Sequence, residues 1–498
     1  MRGKKVWKPN RRNEAGIQKD SRKSDTLIVP KKLPITVEGR GVHFTASGKS
    51  GSCRQRRAGD MINELLGIQY NIAKANATDG KVQNLASYIN VGSLKAIHKT
   101  MDKNKASGID RVTKEEYGQN LEENLESLVK RMKSGSYSPN PTRRVYIPKE
   151  TKGKMRPLGI SCYEDKLVEN AIAQILEQIY EPKFYDESYG FRPNRNCHKA
   201  VKKVVETVRY QKTNYVVEAD IRGFFDNVNH EWLMKMLAHD IADRKFLRII
   251  EKFLKAGIME DGRYLDSERG TPQGNGASPI LANIYLHYVL DNWFDVIVKR
   301  QCKGESYLVR YADDFVCCFQ KKYEAEVFRQ RLEERFAKYG LELAEEKTRI
   351  LEFGRFAKED RKRRGEGKPE TFDFLGFTFY CGTDAKKRFF RCKVKTSRKK
   401  LRSKTKAMKE WIKSHRDMPL EWIFRMVNAK LRGHYQYYGV TDNIEEMCLY
   451  LHNTKKLLFK WLNRRSQRRS YTWDAFTKGL LRTFPLVCPQ IRVSLLGR

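Results

Sequence analysis

The chain has 498 residues, with 99 Lys and Arg against 60 Asp and Glu, a formal net charge of +39, 40% hydrophobic residues and ten Cys. This exceeds one ordinary domain and is apolar enough for packed cores, but no apolar run approaches the roughly 20 residues of a membrane span. The basic N-terminus lacks the apolar stretch of a secretory signal, and no C-x-x-C pair supports a zinc ribbon or finger, so a cytoplasmic protein with reduced thiols is expected.

The charge is concentrated at the ends. Residues 1–60 carry a net +11 and residues 385–498 a net +22, leaving +6 for 61–384. A balanced middle between two basic ends predicts a catalytic body with grips for a polyanion.

In chain order, residues 1–60 lack periodicity and read as a basic, weakly ordered arm. From residue 84, "LASYINVGSLKAIHKTM" sets Leu85, Tyr88, Ile89 and Leu94 on one helical side. "NKASGIDRVT" (104–113) breaks that pattern as a loop. "RRVYIPKETKGKMRPLGI" (143–160) reads as two short strands around a Lys/Gly turn, a hairpin with basic edges. A long helix follows in "EDKLVENAIAQILEQIYEPKF", with Leu167, Ala171, Ile175 and Ile179 in step, ending near Pro182.

In "NYVVEADIRGFFDNVNHEWLMKML", Val216 and Val217 form a strand that Asp220 closes, and a helix begins near Asn229. "YLVRYADDFVCCF" is strand, tight turn, strand, with Cys317 and Cys318 as small hydrophobes. "RFAKEDRKRRGEGKPE" reads as a charged surface loop, and "FDFLGFTFYC" (372–381) as one strand with Gly376 inside it. Helical patterns then cover 397–415, 420–438 and 444–465.

Asp313 and Asp314 cap one hairpin and Asp220 ends another strand. A water-accessible turn is the plain reading of an Asp pair. If the strands are neighbours, three carboxylates converge at one sheet edge, and such hard oxygen ligands suit Mg²⁺. Two ions roughly 4 Å apart would clamp the attacking and leaving oxygens of a phosphoryl displacement.

"YADD", with "VVEADIRGFFDNV" upstream and "GTPQGNGASPILANIYLHYVLD" between them, resembles the palm of a reverse transcriptase. The order of "NKASGIDRVT", "IPKETKGKMRPLGI", "ESYGFRPNRNCHKAV", "LELAEEKTRIL" and "FDFLGFTF" more closely resembles the proteins encoded within bacterial group II introns. "LRGHYQYYGVTDN" is similar to their thumb and maturase region, domain X, and the resemblance covers about 84–470. It implies an α+β right-hand polymerase, with fingers and palm built on antiparallel sheet and then an α-helical thumb. After the arm, 61–208 would be fingers, 209–384 palm, 385–470 thumb and maturase domain, and 471–498 a basic tail.

The resemblance further implies an RNA-directed DNA polymerase using dNTPs and two Mg²⁺ ions on an RNA template and DNA primer or target. It also implies a ribonucleoprotein with the parent intron RNA, whose splicing and homing the protein assists. A free-standing reverse transcriptase of defence or diversification, and a splicing-only maturase, are the rivals. The zinc-bearing endonuclease that many relatives carry after domain X is expected to be absent.

By the same resemblance Asp220, Asp313 and Asp314 hold the metals, with the Ile221 carbonyl as an extra ligand. Phe225 would reject the ribose 2′-hydroxyl, or else pack in the core with Phe224. Lys149, with Lys154 as its rival, and Arg156 would hold the triphosphate, the Arg through its planar fork. Gln273 would line the nucleotide pocket. Lys347 would reach the pyrophosphate, or else pair with Glu345 or Glu346. Asn275 stands where the family usually has a second Gly; Asn also tolerates left-handed backbone, so the turn is expected to survive.

Two basic ridges fit the grips. Lys399, Arg402, Lys406, Lys409 and Lys413 step along one helix face, away from Leu401, Met408, Trp411 and Ile412. Lys456, Lys460, Arg464 and Arg468 step by four beside Leu458, Trp461 and Leu462. Both are expected to contact RNA, solvation being the plain alternative. Tyr435, Tyr437 and Tyr438 either stack on bases or belong to the core.

Overall fold

The computed structural model describes residues 67–78, 80–148, 155–384, 386, 388–465 and 470–496. The arm expected over 1–60, and Lys149, Lys154 and Arg468, lie outside the described residues. The described strands are β1 (Thr142–Pro148), β2 (Met155–Ile160), β3 (Tyr215–Ala219), β4 (Ile258–Glu260), β5 (Arg263–Leu265), β6 (Ser306–Tyr311), β7 (Asp314–Phe319), β8 (Arg349–Glu352), β9 (Phe372–Phe374), β10 (Phe377–Thr383) and β11 (Phe390–Thr396). They form sheets of order β2-β1-β4-β5, β6-β7-β3-β8 and β11-β10-β9, and helices dominate from Arg398 onward. This is the α+β architecture that the sequence predicts. No described helix is long and apolar enough to cross a membrane.

The central sheet β6-β7-β3-β8 is antiparallel throughout. Its strands are apolar without alternation because both faces are covered. Val217, Ala219, Phe315, Cys317 and Phe319 point into one core, shared with the helix Tyr163–Tyr180. Val216, Val316, Cys318 and Leu351 point into a second core, built with the helix Cys197–Tyr210 and the C-terminal helices. Pairing of Ala219 with Phe315 places Asp220, the next residue, beside Asp314.

The hairpin between β6 and β7 turns through Ala312 and Asp313, Tyr311 pairing with Asp314. Ala312 takes φ +56, a left-handed conformation costly for Ala. Two contacts hold it there. Arg310 Nη1 donates to the Ala312 carbonyl at 2.9 Å. Gly190 packs so closely that a Cβ on it would lie 2.2 Å from the Ala312 nitrogen. Arg310 is itself wholly buried and forked onto Asp291, with Nε to Oδ1 at 2.8 Å and Nη2 to Oδ2 at 2.5 Å.

Several local expectations change. The pattern from 84 is two elements, because Asn90 and Ser93 form a reciprocal cap that starts the helix Val91–Thr100 and leaves Ala86–Tyr88 as a separate tight turn. The charged stretch 355–370 contains a helix, Ala357–Arg363, whose Glu359 and Asp360 sit at its N-terminal end and Arg361 to Arg363 at its C-terminal end, as the helix dipole favours. Residues 372–381 are not one strand. Leu375 (φ +51) and Gly376 (φ +79) turn β9 back onto β10, with Phe374 paired to Phe377. The three C-terminal helices run Arg398–Ser414, Leu420–Tyr438 and Ile444–Leu462, close to expectation.

Removing Asp291 leaves a buried guanidinium without its counter-charge. Asp291→Ala is therefore expected to cost about 3–5 kcal/mol of stability, read by urea unfolding; a loss below 1 kcal/mol would mean that Arg310 finds water or another partner.

Candidate active site

A cleft of about 1300 Å³ opens at the end of the central sheet, bounded by β2, the hairpin turn and the helices Arg398–Ser414 and Leu420–Tyr438. Asp220, Ile221, Phe225, Gln273, Asp313, Asp314, Lys347 and Arg156 all line it. Lys149 lies outside the described residues, so the cation described on β2 in this cleft is Arg156.

The carboxylates repel one another. Asp314 stays open to the cleft, yet the surrounding protein displaces enough water to raise it to about 7, helped by Asp313 and Asp220 and opposed by Lys347 and Lys400. Asp313 is raised too, by enclosure and by Asp220, against Arg156 and Arg310. Lys347 pairs with Asp220 rather than with Glu345 or Glu346, and the bond holds its ammonium above the usual lysine range. Arg222 takes Glu342 at 2.6 Å and Glu346 at 3.2 Å instead.

Among the described residues no three His, Cys, Asp or Glu side chains close on one point. Mg²⁺ keeps waters and takes one or two carboxylates together with substrate phosphates. The donor set fits: hard oxygens, crowded and mutually repelling, at the floor of an open cleft.

Both adjacent rings border the cleft: Phe224 is 2% exposed in the core, and Phe225 is half-buried and packs against that core as well. The segment Thr271–Ala277 forms the wall beside Phe225: Thr271 N–H donates to the Phe225 carbonyl and Gly159 N–H to the Gln273 carbonyl, each at 2.7 Å. Gly274 takes φ +110 and comes so near Gly159 that an added Cβ would sit 2.8 Å from its carbonyl oxygen. Asn275 is not in the left-handed region; its side chain instead accepts from Ala277 N–H at 2.8 Å. The turn survives through an Asx bond, not through the backbone tolerance expected of Asn.

Sequence reasoning missed the support beneath this wall. Glu169 accepts from Ser161 Oγ at 2.5 Å and from Gly276 N–H at 2.9 Å, tying β2 to the loop. The signal was present: Asp165 and Glu169 lie four apart on the apolar face of the helix Tyr163–Tyr180, where a carboxylate needs a reason. Also missed were Lys400, Lys404 and Lys430, which line the cleft from the C-terminal helices.

The basic ridges separate. Lys399, Arg402, Lys406 and Lys409 line a second groove of about 1020 Å³ with Arg349, Lys395 and Arg398. Lys413, one turn beyond Lys409 on the same helix, is not among the residues lining that groove; it lies over the Trp461 ring at 5.8 Å, with Lys460 at 5.9 Å and Arg464 at 5.3 Å over the same ring. Lys456 is exposed. Tyr435 and Tyr438 are buried at 1% and 4% exposure, while Tyr437 borders the cleft with its hydroxyl donating to Leu375 O at 2.9 Å.

Residues 147–379 match the family described as reverse transcriptase (RNA-dependent DNA polymerase), and residues 399–479 match the group II intron, maturase-specific domain. The Group II intron-encoded protein LtrA of Lactococcus lactis subsp. cremoris is 47% identical over 166 residues, 33% of this chain and 27% of that protein. Protein YkfC of Escherichia coli (strain K12) is 37% identical over 241 residues, 42% of this chain and 62% of that protein. The mitochondrial Nuclear intron maturase 1 of Arabidopsis thaliana is 34% identical over 131 residues, covering 25% and 18%. The chain thus spans about a quarter of the length of LtrA and less than two thirds of YkfC.

Burial raises the Glu169 carboxyl from 4.5 to about 7, against the bonds from Ser161 and Gly276. Between those values the folded chain keeps a proton that the unfolded chain has lost, so this group's contribution to stability falls as pH rises through the window. Glu169→Gln can give its amide oxygen to Gly276 and its NH₂ to Ser161 and cannot ionise. Its melting temperature relative to the parent is expected to rise between pH 5 and pH 8; a difference independent of pH would remove Glu169 as the titrating group.

Proposed function

We propose that the chain, in which residues 147–379 match the reverse transcriptase model and residues 399–479 the group II intron maturase-specific one, is an RNA-directed DNA polymerase which also binds a group II intron RNA and assists its splicing and mobility. The observation that carries the reading is the placement of Asp220, Asp313 and Asp314 in one cleft, walled by Arg156, Lys347, Lys400 and Lys404. In this reading 61–208 act as fingers, 209–384 as palm, 385–470 as thumb and maturase domain and 471–498 as a basic tail.

The three carboxylates, with the Ile221 carbonyl, would hold two Mg²⁺ ions. Such ions, when bound, make the primer 3′-hydroxyl a better nucleophile and stabilise the leaving pyrophosphate oxygen. The chain's own groups do the positioning. Arg156 presents its fork to the triphosphate of the incoming dNTP. Lys347, now on Asp220, is the group that would reach the departing pyrophosphate. Phe225 stands where a ribose 2′-hydroxyl would project, and Gln273 lines the base-side wall. Lys400 and Lys404 neutralise phosphates of the primer–template duplex, a sequence-independent grip.

The outer groove of Lys399, Arg402, Lys406 and Lys409 takes intron RNA, and the ridge of Lys413, Lys456, Lys460, Arg464 and Arg468 extends that hold. A DNA primer or target and an RNA template share the cleft, while the intron RNA lies outside it.

Asp313→Ala is expected to abolish primer extension on an RNA template while leaving intron RNA binding intact. Extension at the parent rate would reject the active-site assignment.

Neutral substitutions at Lys399, Arg402, Lys406 and Lys409 are expected to flatten the salt dependence of intron RNA binding by about 0.7–0.9 log units per lost phosphate contact. Splicing at low Mg²⁺ should weaken with it, and extension of a saturating primer should persist. An unchanged salt slope would make the groove a solvated face.

A further inference from the structure

Phe191 has no role in the reading above. It lies in the stretch 181–196, which forms neither helix nor regular strand, and its side chain borders the cleft with half of the residue's surface exposed. Its backbone takes φ +54. A bulky aromatic in the left-handed region is a genuine outlier, and such a conformation persists only where the surroundings over-determine it.

Both neighbours are pinned. Gly190 accepts from Asn283 Nδ2 at 2.7 Å and presses on Ala312, with no room for a Cβ. Arg192 is 7% exposed; its Nε and Nη2 each reach Glu181 at 2.9 Å, and its Nη1 donates to Tyr185 O at 2.5 Å and Ser188 O at 2.7 Å. Between these anchors the chain must turn left-handed, and the ring is carried out toward the cleft. Gly190 touches the turn that bears Asp313, so the ring is held by the contact that fixes the catalytic turn.

The chemistry of the cleft selects the ligand. An apolar, flat ring stands beside a carboxylate cluster and a set of Lys and Arg. The cations call for phosphates, and the ring calls for a flat apolar face. A nucleic acid strand supplies both. We propose that Phe191 is a stacking platform for a nucleobase held beside the catalytic turn, a subsite of the proposed polymerase. The inference rests on the polymerase reading, and three sources share its chemistry: a template base, a primer base and the base of the incoming dNTP.

The test uses the full chain carrying Phe191→Ala, Phe191→Gly and Phe191→Trp. Ala removes the ring and keeps the strain, Gly removes both, and Trp keeps an aromatic face. Duplex affinity is read by fluorescence anisotropy with RNA-template, DNA-primer duplexes in which one nucleotide at a time is made abasic; dNTP KM is read by extension. The Ala and Gly variants are expected to bind the intact duplex about ten- to a hundredfold more weakly, the loss of one stacked base, with Trp near the parent. At one position an abasic nucleotide should weaken the parent by a similar factor and Phe191→Ala no further, and the strand carrying that position identifies the base. A rise of that size in dNTP KM, with duplex affinity unchanged, assigns the base to the incoming nucleotide instead.

If the Ala and Gly variants match the parent in both readouts, the platform is rejected. It is equally rejected if every abasic position weakens the parent and Phe191→Ala alike. The polymerase reading stands through either result as long as the parent extends primers and Asp313→Ala does not. A parent that extends no primer rejects that reading, and this proposal with it.

Discussion

The buried fork of Arg310 onto Asp291 is the constraint on which the cleft depends. Arg310 has no exposed surface and Asp291 is 3% exposed. A pair so deep repays its desolvation only when the remaining donors are used. They are: Nη1 reaches Asn283 Oδ1 at 3.0 Å and the Ala312 carbonyl at 2.9 Å. Asn283 uses its amide nitrogen on Gly190, and Gly190 closes against Ala312. The left-handed turn that carries Asp313 is thus held from inside the protein by a chain of hydrogen bonds closed by the steric contact of Gly190 with Ala312. No flexible loop sets the position of the carboxylates; the packing beneath the sheet does.

Above that fixed floor the charges are opposed rather than neutralised. Asp313 and Asp314 are both harder to ionise than a free Asp, and the bond from Lys347 goes to Asp220. Asp220 is thus paired, while Asp313 and Asp314 face cations held at the walls of the cleft. This is the electrostatic arrangement a site needs if cations and a polyanion are to arrive together. Either alone meets repulsion from part of the cleft, carboxylates for the polyanion and Lys or Arg for the cations.

The sequence revealed whatever one short segment determines. The apolar runs around Val216 and "FVCCF" announced strands because both faces of their sheet are covered, and the helices from 398 onward followed from their 3.6-residue period. The Asp residues stood out because "YADD" and its flanks resemble a reverse transcriptase palm; an Asp pair alone reads as a turn. Illegible were features set by partners far along the chain. Nothing near Gly190 says that Ala312 will press on it, and nothing near Glu169 says that Gly276 needs an acceptor. The turn at Leu375 was missed because β-branched and aromatic flanks on both sides read as one strand, and Leu is a poor advertisement for a left-handed turn.

The helix Arg398–Ser414 shows the same limit. Its period placed Lys399, Arg402, Lys406, Lys409 and Lys413 on one face, but Lys400 and Lys404 are only about 40° apart on the opposite side. Which face met the cleft depended on how the helix packs Leu401, Met408 and Ile412 against the second core. The outcome is a single rigid element of 17 residues, about 25 Å long, with one basic face in the cleft and another in the outer groove. A strand gripped in the cleft and an RNA gripped outside would then bear on the same helix from opposite sides. A shift of that helix to suit one would move the wall presented to the other, and any free-energy coupling between them must be reciprocal.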